Sequence, residues 1–278
     1  YFTFASDLIP PSRRTEGIAL FGVSGLLPLL INPFADQLGI EPIQLRWFLP
    51  AVGGVVLCSL FFLAALPEAP RGVVEPLRWG RAGRALGRRG LMPVWVATLV
   101  FSGLVAVFMA FATVAAEARG IARPGSLWLT YAGGAVGVRL LGAKLPERLG
   151  PTRVGAAALF SYVLAFAVAA GAQSFVGFAL AGALAGIGHG YAFPVLAGQV
   201  VTRSPLALRG LAVAAFTGLW DVSRLAYAPV FGAIADASSD ATMLRAAAGF
   251  GLLGLVVWLV LEARMGGPGA DFVEDEAI

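Results

Sequence analysis

Eight apolar stretches of about 20 residues, each long enough to cross about 30 Å of hydrocarbon at 1.5 Å per residue, constrain this chain more than any other feature. They run from Gly17 to Asp36, Arg46 to Leu66, Met92 to Val114, Ser126 to Pro146, Arg153 to Ala172, Phe175 to Val200, Gly210 to Ile234 and Met243 to Ala263. Lipid offers no hydrogen bonds, so a spanning segment must satisfy its own backbone as a helix or close into a barrel. Barrel strands alternate apolar and polar residues, and LVFSGLVAVFMAFATVAA does not. All eight stretches are therefore expected to be helices of an all-α membrane protein. With 58% hydrophobic and 13% charged residues, the chain has too little polar surface to cover a water-soluble globule. Its single cysteine, Cys58, lies inside an apolar stretch and provides neither a disulfide framework nor a thiolate metal cluster.

Basic residues between the spans set the expected orientation, because Lys and Arg stay on the cytoplasmic side. Fifteen of them fall on one side, including the run from Arg71 to Arg89 and the group Arg139, Lys144, Arg148 and Arg153. Only Arg46, Arg119, Arg123 and Arg245 fall on the other, and Arg224 alone lies inside a span. Both ends of the chain are thus expected in the cytoplasm.

The segment Gly17 to Leu26, GIALFGVSGL, repeats at Gly210 to Leu219 as GLAVAAFTGL, an offset of 193 residues that contains six span starts. A six-helix unit recurring once is the parallel-repeat arrangement found among transporters. Carried back from Met92, the same offset places about 100 residues and four helices before Tyr1, and the opening YFTFASD, without methionine or a secretory signal, reads as a cut end. The expected domains are the end of an N-terminal half at 1–66, a basic central loop at 67–91, a C-terminal six-helix half at 92–265 and an acidic disordered tail at 266–278.

These residues resemble the major facilitator superfamily, in its drug:proton antiporter-like branch and without its first four helices. DLIPPSRRTEGIALFGVSG at Asp7 to Gly25 is similar to that branch's approach to its fifth helix, and RGLAVAAFTGLWDVS at Arg209 to Ser223 to its eleventh. AKLPERLGPTR is similar to the signature loop between the eighth and ninth helices: Leu145, Arg148 and Gly150 match, Glu147 replaces aspartate, Ala143 replaces glycine, and Arg153 follows Pro151. The resemblance implies a major-facilitator-type bundle, eight of whose twelve helices are present. It also implies a cytoplasmic latch in which Arg139 and Glu147 take part and the acid meets a helix N-terminus of the other half, a contact that the helix dipole favours. The fifth helix departs from the antiporter pattern: GLLPLLINPFAD offers Gly25, Pro28 and Pro33 in place of a Gly-Pro pair and paired glycines, which keeps a proton-coupled importer open.

Five polar residues within or near the spans are candidates for the substrate and proton pathway. Asp221 and Arg224 stand three residues apart on one helix face, and intramembrane charges usually serve a pathway; a neutralised intrahelical pair is the alternative. His189, the only histidine, can titrate near neutral pH or simply pack. Asn32 and Gln199 can bind substrate or cap helix ends. Glu117 reads as a solvated charge. Gly182, Gly186 and Gly190, four residues apart, make a flat face for helix packing.

The function expected from this pattern is secondary active transport of a small molecule across a bacterial-type inner membrane, by proton-coupled efflux through alternating access. The partners are the substrate, protons and membrane lipids, with no nucleic acid and no cofactor, and the protein is expected to be a monomer. An uptake permease and a non-transporting fragment are the alternatives. A membrane enzyme is disfavoured, because one histidine and one cysteine cannot build a metalloprotease site and Lys144, the only lysine, belongs to no phosphate loop.

Overall fold

Apolar runs that must satisfy their backbones internally produce helices wherever the chain is described. The computed structural model describes residues 9–38, 46–64, 86–205 and 208–265, with positions 80 and 83. The rest of the central basic loop and the acidic tail lie outside the described residues.

The helices are α1 (Arg14–Phe21), α2 (Ile31–Leu38), α3 (Phe48–Ala64), α4 (Met92–Ala118), α5 (Leu127–Leu141), the short α6 (Leu145–Leu149), α7 (Pro151–Gly171), α8 (Phe175–Arg203), α9 (Arg209–Ala237) and α10 (Asp240–Met265). Among them α4, α7, α8 and α10 are long and apolar enough to cross a membrane on those criteria alone. The others show how a span can depart from that pattern. Helices α3 and α5 are short, with 17 and 15 residues, and α9 carries charged residues in its middle.

The stretch from Gly17 to Asp36 is not one continuous helix, as its apolarity alone suggests. It breaks after Phe21, where the Ser24 hydroxyl donates to the Phe21 carbonyl at 3.1 Å, and continues as a 3-10 segment at Ser24–Leu30 before α2. Pro28 lies inside that segment; without an N–H, and with a ring that crowds the preceding turn, it does not fit an α-helical ladder.

Helices α4, α5, α7, α8, α9 and α10 form the packed bundle. Helix α8 lies between α5 and α7, and α4 lies against α9 and α10. Phe101, Phe108, Tyr131, Tyr162, Phe166 and Trp258 are fully buried between them. The α5–α8 contact depends on the small face expected from the sequence: a methyl group on Gly182 would come within 2.6 Å of the Leu127 carbonyl, and Gly186 and Gly190 press on Tyr131 and Ala135. Helix α1 crosses α8 and α5, so the chain before residue 38 docks on the bundle. Every described side chain of α3 is exposed, Phe61 at 85%, which leaves an apolar helix facing lipid or further protein.

A buried hydroxyl pair also ties α4 to α9. Ser102 and Ser223 lie 2.6 Å apart, and Ser102 donates in turn to the Thr98 carbonyl at 2.7 Å. Because Ser102 keeps that acceptor, Ser223→Ala is expected to destabilise the bundle by only about 0.6 kcal/mol, the usual worth of such a bond in a membrane protein. A thermal-unfolding series in detergent measures it; a loss several times larger would mean that packing rather than the hydroxyl pair is disturbed.

Candidate functional site

The approach to α1 and the loop after α5 meet at one end of the bundle. Helix α1 begins at Arg14, and its first N–H groups have no partner within the helix. Glu147 on α6 fills that vacancy: its Oε1 accepts the backbone N–H of Glu16 at 2.8 Å, across 131 residues of sequence. Glu16 is itself buried and accepts from Arg13 at 2.7 and 2.8 Å. The Arg13 guanidinium holds the Glu16 carboxyl below its usual range, so Glu16 stays charged beside Glu147 and the arginine balances it.

Arg139 reaches the same region from inside the bundle. It is 2% exposed, its Nε donates to the Gly190 carbonyl at 3.1 Å, and its guanidinium lies 6.0 Å from the Phe193 ring. Gly22 of the broken first span passes so close that a methyl group there would stand 2.6 Å from the guanidinium. A side chain at position 22 would make the guanidinium shift from this place. Gly150 turns the chain from α6 into α7 with φ of 91°, a region that suits glycine. Arg148 and Arg153 are exposed.

Further in, one residue before Gly190, His189 joins a closed hydrogen-bond chain. The Tyr131 hydroxyl lies 2.6 Å from His189 Nδ1 and 3.0 Å from the Tyr162 hydroxyl, all three buried. The imidazole also packs in the rings of Phe101, Phe193 and Trp220 at centroid distances of 5.6, 6.4 and 5.8 Å. This arrangement fits the packing role weighed for His189. Trp220 carries the contact to α9, where the next residue is Asp221.

Asp221 and Arg224 are both exposed near the middle of α9, turned away from the buried Ser223 that faces α4. Neither side chain makes an ion pair or hydrogen bond among the described residues. The neutralised pair that their spacing allows is thus not formed: no described residue packs over this face, and an uncovered ion pair gains too little to fix two flexible side chains. Gln199 is elsewhere. It is 5% exposed, one turn beyond Val195, which faces Gly155 of α7, and its amide has no hydrogen-bond partner among the described residues. Asn32 lies on α2 beside Pro33, and its side chain is outside the described residues.

The structure therefore gathers Arg139 and Glu147 at one end, places His189 between that end and α9, and leaves Asp221 and Arg224 on an open face. Sequence reasoning missed Arg13 and Glu16, although a basic residue three positions before an acid at a helix start is a readable signal. It also missed Tyr131 and Tyr162, whose positions 31 residues apart carry no signal at all.

The described helices thus form an apolar bundle with a charged face on α9 that no described residue covers and a hydrogen bond between α1 and α6 at one end. The sequence profile of the Major Facilitator Superfamily matches residues 2–226, and the chain belongs to that superfamily. Among solved structures it is similar to the human organic anion transporter MFSD10 (TETRAN), with a TM-score of 0.66 at 18% identity. That likeness covers 92% of this chain and 66% of the other, so the chain spans just under two thirds of that transporter's length. No curated protein matches it by sequence.

Proposed function

We propose that this chain belongs to a secondary active transporter that moves a small molecule across the inner membrane by alternating access, driven by protons and in the efflux direction. The observation that carries this reading is the Glu147–Glu16 hydrogen bond, which joins the loop between α5 and α7 to α1. A contact between a carboxylate and a helix N-terminus is favourable yet reversible, as a gate requires. In this reading the closed end is cytoplasmic, 1–66 ends one half and 92–265 forms the other, and the protein works as a monomer in the drug:proton antiporter-like branch. Asp221 carries the proton. Arg224 holds an anionic substrate, in keeping with the organic anions named for the structural relative.

The test is fluorescent pH-gradient quenching in sealed vesicles of defined sidedness containing the full-length protein, screened over small organic anions. A compound that dissipates the gradient only when the protein is present is the expected result, and the side from which it acts gives direction. Action from the opposite side would establish uptake, which the partial Gly25, Pro28 and Pro33 pattern also fits. No response to any anion under a maintained gradient would overturn proton coupling.

A further inference from the structure

A cleft of about 260 Å³ lies beside the Glu147 contact and is lined by residues of α1 and α6, the two helices that the contact joins. Helix α1 supplies Glu16 and Leu20, while the end of α5 and the start of α6 supply Leu140, Leu141, Lys144, Leu145 and Arg148. Its chemistry is divided. Leu20, Leu140, Leu141 and Leu145 are 44%, 60%, 92% and 38% exposed, an apolar wall at the end of α5, where the sequence places the edge of a membrane span. The side chains of Lys144 and Arg148, also exposed, make no ion pair or hydrogen bond among the described residues. Glu16 is hydrogen-bonded to Arg13, so it acts on Lys144 only through space and offers neither cation a hydrogen bond.

Two unpaired cations beside exposed leucines at a bilayer boundary match a ligand that has an anionic head and a hydrocarbon body. A soluble phosphate would satisfy the cations and leave the leucines in water; an acyl chain covers both needs. The volume suits a headgroup phosphate, with the chains lying along α5 towards the bilayer.

We propose that this cleft binds the headgroup of an anionic phospholipid, and that the bound lipid stabilises the latched state. The second clause rests on the reading of Glu147 as a latch. Because the cleft needs α1 and α6 together, a ligand that fills it binds the latched form better, and differential affinity is what shifts a two-state equilibrium. Membrane composition would then set how readily the closed end opens.

The test uses purified full-length protein in nanodiscs of phosphatidylcholine, alone or with phosphatidylglycerol. Lipid retention is read by native mass spectrometry, and closure by the distance between spin labels on α1 and α6. Phosphatidylglycerol is expected to raise the ratio of latched to unlatched protein about tenfold, within the usual range of such coupling. In K144Q/R148Q, retention should fall about tenfold or more, as expected for removing two basic charges at a membrane surface, and the effect on closure should disappear. The charge-keeping variant K144R/R148K should retain the lipid, which separates lost charge from misfolding. Equal phosphatidylglycerol retention by wild type and K144Q/R148Q would overturn the site. An equal effect of soluble glycerol phosphate would overturn the lipid assignment in favour of a small anion. If E147Q keeps the lipid while its label distances stay unchanged, the lipid site stands and the latch reading fails.

Discussion

Asp221→Asn is expected to abolish proton-driven accumulation while leaving substrate exchange and binding partly intact. A carboxylate in the middle of a membrane helix is the most economical group through which a proton can bias alternating access, and the amide keeps its size without its charge. The structure sharpens this expectation. Asp221 is exposed on a face that no described helix covers, and no described side chain pairs with it. It also changes what Arg224→Ala should do. An engaged pair would leave a stranded carboxylate after that substitution, and both coupling and binding would suffer. Since the two side chains are apart, Arg224→Ala should chiefly weaken binding of an anionic substrate and spare the proton step. Accumulation in reconstituted vesicles, measured beside counterflow exchange, separates the cases. Full accumulation by Asp221→Asn would remove Asp221 from the coupling role.

Glu147→Gln is expected to shift the protein towards the form open at the α1–α6 end by about 1 to 3 kcal/mol, the usual scale of a coupling between two sites. The amide can still accept the Glu16 N–H, but it loses the charge that the positive end of α1 attracts. Alkylation rates of single cysteines introduced on α1, in a Cys58→Ser background, measure the change. Rates equal to wild type would reduce Glu147 to a constituent of a positively charged loop. The substitution should not melt the bundle, because the contact lies outside the core packed around Phe101, Phe108 and Tyr162.

Much of the fold was legible because lipid permits few solutions. An apolar run of about 20 residues that must satisfy its own backbone is a helix, and the starts of α4, α8 and α9 fall within a residue of where the runs begin. The glycine face of α8 was legible for a similar reason: four-residue spacing stacks small side chains on one line, whatever packs against them. The break in the first span was not anticipated, although Gly22, Ser24, Gly25 and Pro28 are all visible in the sequence, because apolarity measures the cost of leaving lipid and says nothing about backbone continuity.

The candidate site divides along the same line. Sequence by itself determined that charges lie within a span, that an acid follows α5 in a basic loop, and that one histidine lies among glycines, since these are properties of single helices and their spacing. Only the tertiary structure decided that Glu147 meets the N–H of Glu16 from 131 residues away, that His189 bonds Tyr131, and that Asp221 and Arg224 remain apart. Those outcomes depend on which helix faces meet. Periodicity along one helix fixes the residues that share a face, but not the partner, because in lipid the choice of partner rests on close packing and hydrogen bonds between helices distant in sequence.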